Sequence, residues 1–177
     1  FMGGKKITIN EKVKNIFLPL GGSDDTNLSY FIATKLKDYL IHHKSTLHIA
    51  IGKAFKYKKE LLNLQNSFIK CYENAPMAEL MLNCDVGICA CGQTVYEFLT
   101  LGVPIISFVL ADNQKNLAIF GEQKGYLIFS QPKQIALELE KMDFEKRLNL
   151  RANADKHFKP TFIDESFEKE FFTLLDI

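Results

Sequence analysis

The stretch that decides the fold is DVGICACGQTVYEFLTLGVPIISFVL, residues 85–110. DVGICA (85–90) is a short β-branched apolar run, Gly92 punctuates it, Thr94 to Leu101 has helix spacing that stops at Gly102, and PIISFVL (104–110) is apolar again. Strand, tight turn, helix, strand is the parallel crossover unit, and one such unit predicts a parallel sheet. The same pattern runs outward in both directions. Upstream, NIFLPL (15–20), TLHIAI (46–51) and SFIKCY (67–72) read as strands; helices are predicted at Thr26 to Ile41, Lys58 to Gln65 and Pro76 to Asn83. Downstream follow a helix from Gln114 to Lys124, a sixth strand YLIF (126–129), and helices at Pro132 to Lys141, Phe144 to Ala154 and Glu165 to Leu175. The expected architecture is a Rossmann-like, doubly wound α/β domain of about six parallel strands. It forms one domain over 1–177, with a core at about 15–130 and a helical segment at 131–177.

The 177 residues suit one such domain and are short for two. With 22 basic against 21 acidic residues the net charge is +1, which leaves no electrostatic footprint for nucleic acid. No run is long enough for a bilayer-spanning helix and no signal-peptide layout is present, so a cytosolic address is expected, without membrane partners. Cys71, Cys84, Cys89 and Cys91 contain no C-x-x-C pair and read as reduced thiols near a core. Cys89 and Cys91 share one strand face, the spacing of a soft-metal site. The four histidines offer them no ligand at helical spacing, so neither metal nor cofactor is expected. The chain begins at Phe1; a cut within a longer protein would explain that.

Ligands of open parallel sheets bind at the carboxyl ends of the strands. Three turns there have unusual composition. PLGGSDDTN (19–27) places Gly21, Gly22 and Ser23 before a helix: paired glycines admit positive φ and close backbone approach, a phosphate-compatible turn. It is neither a Walker loop nor G-x-G-x-x-G, and for this loop taken alone a helix N-cap by Ser23 or Asp24 after a tight turn is the simpler reading. In ACGQTVYE (90–97), Gly92 frees the amides of Gln93, Thr94 and Val95 at a helix start. Glu97, expected within the first turn and held ionised by the helix dipole, can accept both hydroxyls of a vicinal diol. Thr94-x-x-Glu97 is also a capping-box pattern, and both readings stand. In LADNQKN (110–116), Asp112, Asn113, Gln114 and Asn116 form a polar cluster suited to sugar hydroxyls; an N-cap accounts for Asp112 and does not require Gln114.

In that order these residues resemble the C-terminal nucleotide-sugar-binding domain of two-domain GT-B enzymes. The chain looks closest to the UDP-sugar hydrolases of pseudaminic acid biosynthesis (PseG-type) and is more distantly similar to MurG-type UDP-GlcNAc transferases. The likeness covers about residues 15–130 and rests on GGSD-x-x-N, ENAPMAELMLNCDVGICACGQTVYEFLTLGVP, ADNQ and KGY. It implies a UDP-sugar ligand. Glu97 would hold the ribose hydroxyls; Gly92, Gln93 and Thr94 would face the diphosphate. Asn113 and Gln114 would meet the sugar or its phosphate, with Gly21, Gly22 and Ser23 approaching from the first loop. The loop from Tyr72 through Glu73 and Asn74 to Ala75 would take uracil through backbone groups. Two departures stand out: Asp25 where the hydrolases usually carry proline, and Cys91 where Gly or Ser is usual, a thiol expected to narrow the approach to the diphosphate.

The hydrolases' water-activating histidine belongs to an N-terminal domain that has no counterpart here, so no catalytic residue is assigned. The expected partner is that missing catalytic domain or subunit, and the chain is a fragment of a longer enzyme or a free-standing nucleotide-binding subunit. A hydroxyl acceptor would make the parent a glycosyltransferase. A non-catalytic docking module, using the apolar stripe Phe167, Phe171, Leu174 and Leu175, is the reading from another class.

Overall fold

The computed structural model describes residues 6–158. The predicted helix from Glu165 to Leu175, with its phenylalanine stripe, lies outside them. In chain order the elements are β1 (Asn15–Pro19), α1 (Leu28–Lys35), α2 (Lys37–His43), β2 (Thr46–Ala50), α3 (Lys58–Leu62), β3 (Ile69–Tyr72), α4 (Met77–Asn83) and β4 (Val86–Ala90). They continue with α5 (Gln93–Leu101), β5 (Ile105–Phe108), a 3-10 turn (Asp112–Gln114), α6 (Lys115–Gln123), β6 (Ile128–Phe129), a second 3-10 turn (Pro132–Gln134), α7 (Ile135–Glu140) and α8 (Phe144–His157). The six strands form one sheet in the order β3-β2-β1-β4-β5-β6, and every pair is parallel. The expected doubly wound sheet is therefore present. Its order reverses between β1 and β4, and there the loops leaving the two strands part to opposite faces and open a crevice.

Both faces of the sheet are covered. Ile16 and Leu18 point to a core built with Ile32, Leu36 and Leu40 of α1 and α2 and Ile135 and Leu139 of α7. Phe17, between them, points to the opposite core with Met81 of α4, and with Val95, Phe98 and Leu101 of α5. Alternation of side chains along a strand buried on both faces is why these runs read as continuously apolar in sequence. On the second face α5 lies close to the sheet because β4 carries Gly87. A Cβ there would stand 2.7 Å from the Phe98 ring, which itself meets Phe17 edge-on, 6.1 Å between centroids.

Where element boundaries differ from expectation, polar side chains have competed for backbone groups. Asp24 is 6% exposed and accepts from the amides of Leu28 and Ser29 at 2.8 and 2.7 Å, so α1 starts two residues late, after Asn27 in the left-handed region at φ 56. The predicted helix to Ile41 becomes α1 and α2 joined through Leu36, whose amide still reaches Ile32 O at 3.0 Å. The helix expected to run to Gln65 ends at Leu62. Asn66 Oδ1 takes the amides of Phe68 and Ile69, and Gln65 Oε1 takes that of Cys71.

The core also reaches beyond residues 15–130 at both ends. Residues 6–14 form a strap: Ile7 N donates to Leu101 O at 2.9 Å, and the buried Arg147 of α8 donates to the carbonyls of Asn10 and Glu11 at 2.7 and 2.8 Å. Asp85, ahead of β4, accepts from Lys14 N, Asn15 N and Asn10 Nδ2, each at 2.8 Å. Lys6 ion-pairs with Asp155 of α8.

Candidate functional site

The loops after β1 and β4 flank the crevice where the strand order reverses. After β1 the chain turns through Gly21, at φ 84, into Gly22 and Ser23, all exposed. A Cβ at either glycine would touch nothing within 4 Å, so this turn borders open space. The anchor of the turn is Asp24, through its two amides; Ser23 takes no part in the cap.

After β4, Gly92 is extended at φ −135 and ψ −158 and is the N-cap of α5, with no side chain capping that end. The helix starts at Gln93, so Thr94 is its second residue and Glu97 its fifth. A capping box needs the threonine at the N-cap and the glutamate three positions on. Thr94 and Glu97 are each two places too deep, and the capping-box reading is set aside. Of the amides expected to be free, those of Gln93, Thr94 and Val95, the last donates to Gly92 O at 3.0 Å; Gly92 N itself donates to Ala90 O at 2.8 Å. The amides of Gln93 and Thr94 have no acceptor one turn earlier in the helix and lie at the positive end of a nine-residue helix.

Glu97 lies one turn below Gln93 on the same helix face. It makes no hydrogen bond or ion pair with another described residue. Burial raises its carboxyl above the ordinary value of 4.5. The helix dipole was expected to favour the ionised form; burial works against it, and the fifth residue of the helix already lies beyond most of the dipole's reach.

The third loop folds back toward the second. Gln114 Oε1 accepts from Leu110 N at 2.8 Å, bracing the loop after β5. Its Nε2 is the nearest atom, 3.9 Å, to the position a Cβ would take at Gly92. Asn113 beside it is exposed. The N-cap expected of Asp112 does not form: that residue ion-pairs with Lys115 at 2.7 Å.

Cys91 corrects another expectation. The residue is 2% exposed and turned into the sheet, its Sγ 2.9 Å from Ser107 Oγ, which donates to Cys89 O. The thiol therefore does not narrow the crevice. Burial pushes both Cys89 and Cys91 up, so they stay protonated at neutral pH. Among the described residues no three His, Cys, Asp or Glu side chains are grouped to hold a metal ion.

Tyr72, Glu73 and Asn74 leave β3, two strands from the crevice. The Tyr72 ring stacks on His48 at 5.8 Å. His48 Nε2 faces Asn15 Oδ1, an acceptor only, at 3.2 Å and must donate to it. Burial, and then Lys70, lowers the imidazole's affinity for a second proton, so Nδ1 accepts from the Tyr72 hydroxyl at 2.8 Å. The ring thus faces the sheet, leaving the backbone of Glu73 and Asn74 at the surface.

Sequence reasoning passed over Gly52. A Cβ there would stand 2.4 Å from the carbonyl oxygens of both Gly21 and Gly22. The available signal was a glycine closing the run TLHIAIG at a strand's carboxyl end, where close backbone approach is a standing reason for glycine.

Residues 16–166 match the family model of the glycosyltransferase family 28 C-terminal domain. The chain belongs to that family. This family 28 domain is 36% identical over 113 residues to an uncharacterized protein of Methanocaldococcus jannaschii, a match covering 59% of this chain and 22% of that protein. It also shares its fold with the C-terminal CMP-Kdo binding domain of WaaA from Acinetobacter baumannii (TM-score 0.64, 13% identity, 84% of this chain and 91% of that one). A second fold neighbour is the calicheamicin glycosyltransferase (TM-score 0.66, 14% identity, 94% and 44%). The family 28 domain thus spans about a fifth of its curated relative and under half of that glycosyltransferase, and its sheet is that of one GT-B half. No helix among the described residues is long and apolar enough to cross a membrane.

Proposed function

We propose that this chain is the nucleotide-sugar-binding half of a two-domain enzyme and that it holds a UDP-sugar in the crevice between β1 and β4. The observation that carries the reading is the start of α5. An N-terminus opened by Gly92 and followed one turn later by an unpartnered, half-buried carboxyl leaves both its first amides and that acid available to a ligand. Both suit a ribose diphosphate. The amides of Gln93 and Thr94 would bind phosphate oxygens, and Glu97 would accept from the two ribose hydroxyls. Gly21, Gly22 and Ser23 would close the phosphate side. Gln114, with Asn113, would meet the sugar or its phosphate through the Nε2 that its loop brace leaves available, and the backbone of Tyr72, Glu73 and Asn74 would take uracil.

The 177 residues would then form a single binding domain, and the other half of the cleft, with the group that activates the acceptor, would come from a partner domain or subunit. The residue-level likeness to PseG-type enzymes favours hydrolysis of a UDP-amino sugar: water's oxygen bonds to the anomeric carbon as its bond to the diphosphate breaks. Donors at the α5 end would stabilise the leaving group's charge. Membership of a glycosyltransferase family supports the second reading, in which a hydroxyl replaces water. A cytosolic setting is part of the same proposal.

The test of the ligand is calorimetry with UDP, CMP, ADP and a UDP-amino sugar, carried into the millimolar range that half a cleft requires. UDP should bind best, and Glu97→Gln should weaken it roughly 10- to 100-fold, the worth of a charge-assisted hydrogen bond or two. Equal binding of all three nucleotides, or an unchanged Glu97→Gln, refutes the assignment. The acceptor is decided by release of free sugar from a UDP-sugar by the two-domain parent, with and without a candidate alcohol acceptor.

A further inference from the structure

The segment after β2, residues 51–58, was given no part in the site, yet it touches both of the flanking loops that were. On one side Gly52 packs so closely on the first turn that no side chain fits, 2.4 Å from a would-be Cβ to the carbonyl oxygens of Gly21 and Gly22. Next to it, Ala54 N donates to Gly22 O at 3.0 Å. On the other side Ile51 N donates to Tyr72 O at 2.8 Å, at the root of the loop assigned to uracil. Two lysines repeat the bridge at the surface: Lys56 pairs with Asp25 at 2.9 Å and Lys58 with Glu73 at 3.0 Å. Lys56 and Asp25 are both about two-thirds exposed, 65% and 63%, and such pairs contribute little to stability. The backbone contacts therefore carry the coupling.

We infer that residues 51–58 are a clamp that sets the distance between the phosphate turn and the base loop, with Gly52 as its positioning residue for the diphosphate. This rests on the nucleotide-binding reading above. Gly22 has a carbonyl directed at Ala54, and a peptide plane that points its C=O one way points the following N–H the other way. Holding the Gly22 carbonyl on the β2 side thus turns the Ser23 amide away from it. Adding one methyl at Gly52 must push the Gly21–Gly22 turn outward, because both opposing atoms are backbone and cannot rotate aside. The displacement falls on the phosphate side. The Tyr72 side, held through Ile51, is untouched.

The experiment compares Gly52→Ala with wild type in the 177-residue chain, titrating UDP and uridine separately and following amide exchange at residues 21–25. The clamp predicts that the variant loses about tenfold in UDP affinity, the worth of roughly one displaced hydrogen bond to the diphosphate, with uridine affinity changed less than twofold and faster exchange in the turn. Undiminished UDP binding overturns the inference, and so does a parallel loss of UDP and uridine, which a simple fall in stability would produce. If wild type binds no UDP, the functional reading fails by itself; exchange in the turn still decides the clamp, unchanged rates overturning it. If Gly52→Ala does not fold, wild type carries the test: saturating UDP should slow exchange of the Ala54 amide at least severalfold, and an unaltered rate overturns the clamp.

Discussion

Glu97 shows how one residue's setting separates a structural from a ligand-directed role. A carboxyl raised by desolvation binds its proton more tightly in the native than in the unfolded chain. Its contribution to stability is therefore present below its ordinary value of 4.5 and is lost as pH rises through the raised folded value. Glu97→Gln removes that loss. At pH 7 the variant should melt no lower than wild type and should show a flatter fall in Tm between pH 4 and 7, while nucleotide affinity drops; a lower Tm at pH 7 would return the residue to a structural role. Cys91 gives the opposite case. Cys91→Ala deletes the hydrogen-bond contact with Ser107, whose hydroxyl keeps Cys89 O as acceptor, and one buried sulfur. It should cost about 1 kcal/mol in urea unfolding and leave UDP binding within about twofold. Glu97 was legible as a candidate because a lone acid stands out in an apolar run, whereas the inward turn of Cys91 was not, since strand alternation does not say which face a residue just past the strand adopts.

For the elements, the site depends on where α5 starts and how closely it lies on the sheet. The helix was expected to start at Thr94 and starts at Gln93, and the capping-box reading of Thr94 and Glu97 needed an N-cap two residues later than Gly92. A helix end is set by which backbone groups find partners, and Gly92 offered no side chain to signal it. The closeness comes from Gly87 beneath Phe98. Gly87→Ala should destabilise by about 1–3 kcal/mol through overpacking. Adding Phe98→Leu should recover part of that, a coupling measurable in a double-mutant cycle; strictly additive losses would mean that α5 is positioned by other contacts. The six strands and their order along the chain were readable from alternating composition. The lengths of α1 and α3 were not: Asp24 satisfies the first two amides of α1 from four and five residues upstream, and the chain after Leu62 closes in three-residue turns, Leu64 N to Leu61 O and Gln65 N to Leu62 O.

Across the whole molecule, the amino-terminal strap and α8 brace the domain at the strand ends opposite the crevice. Asp85 gathers three hydrogen bonds from Asn10, Lys14 and Asn15, and Arg147 holds the carbonyls of Asn10 and Glu11. Asp85→Ala strands two backbone amides and should cost about 3 kcal/mol in urea unfolding, with accelerated amide exchange over residues 7–15. A loss under 1 kcal/mol would mean that the strap is dispensable. Sequence by itself determined the parallel α/β class and the three turns that composition marked, because periodicity and turn chemistry are local properties of a chain. Only tertiary structure decided that the first two of those turns leave neighbouring strands at the point where the order reverses, that residues 51–54 touch both the first turn and the loop after β3, and that the strap belongs to the core. Each of these joins residues far apart in sequence, where burial and hydrogen-bond geometry leave no local periodic trace.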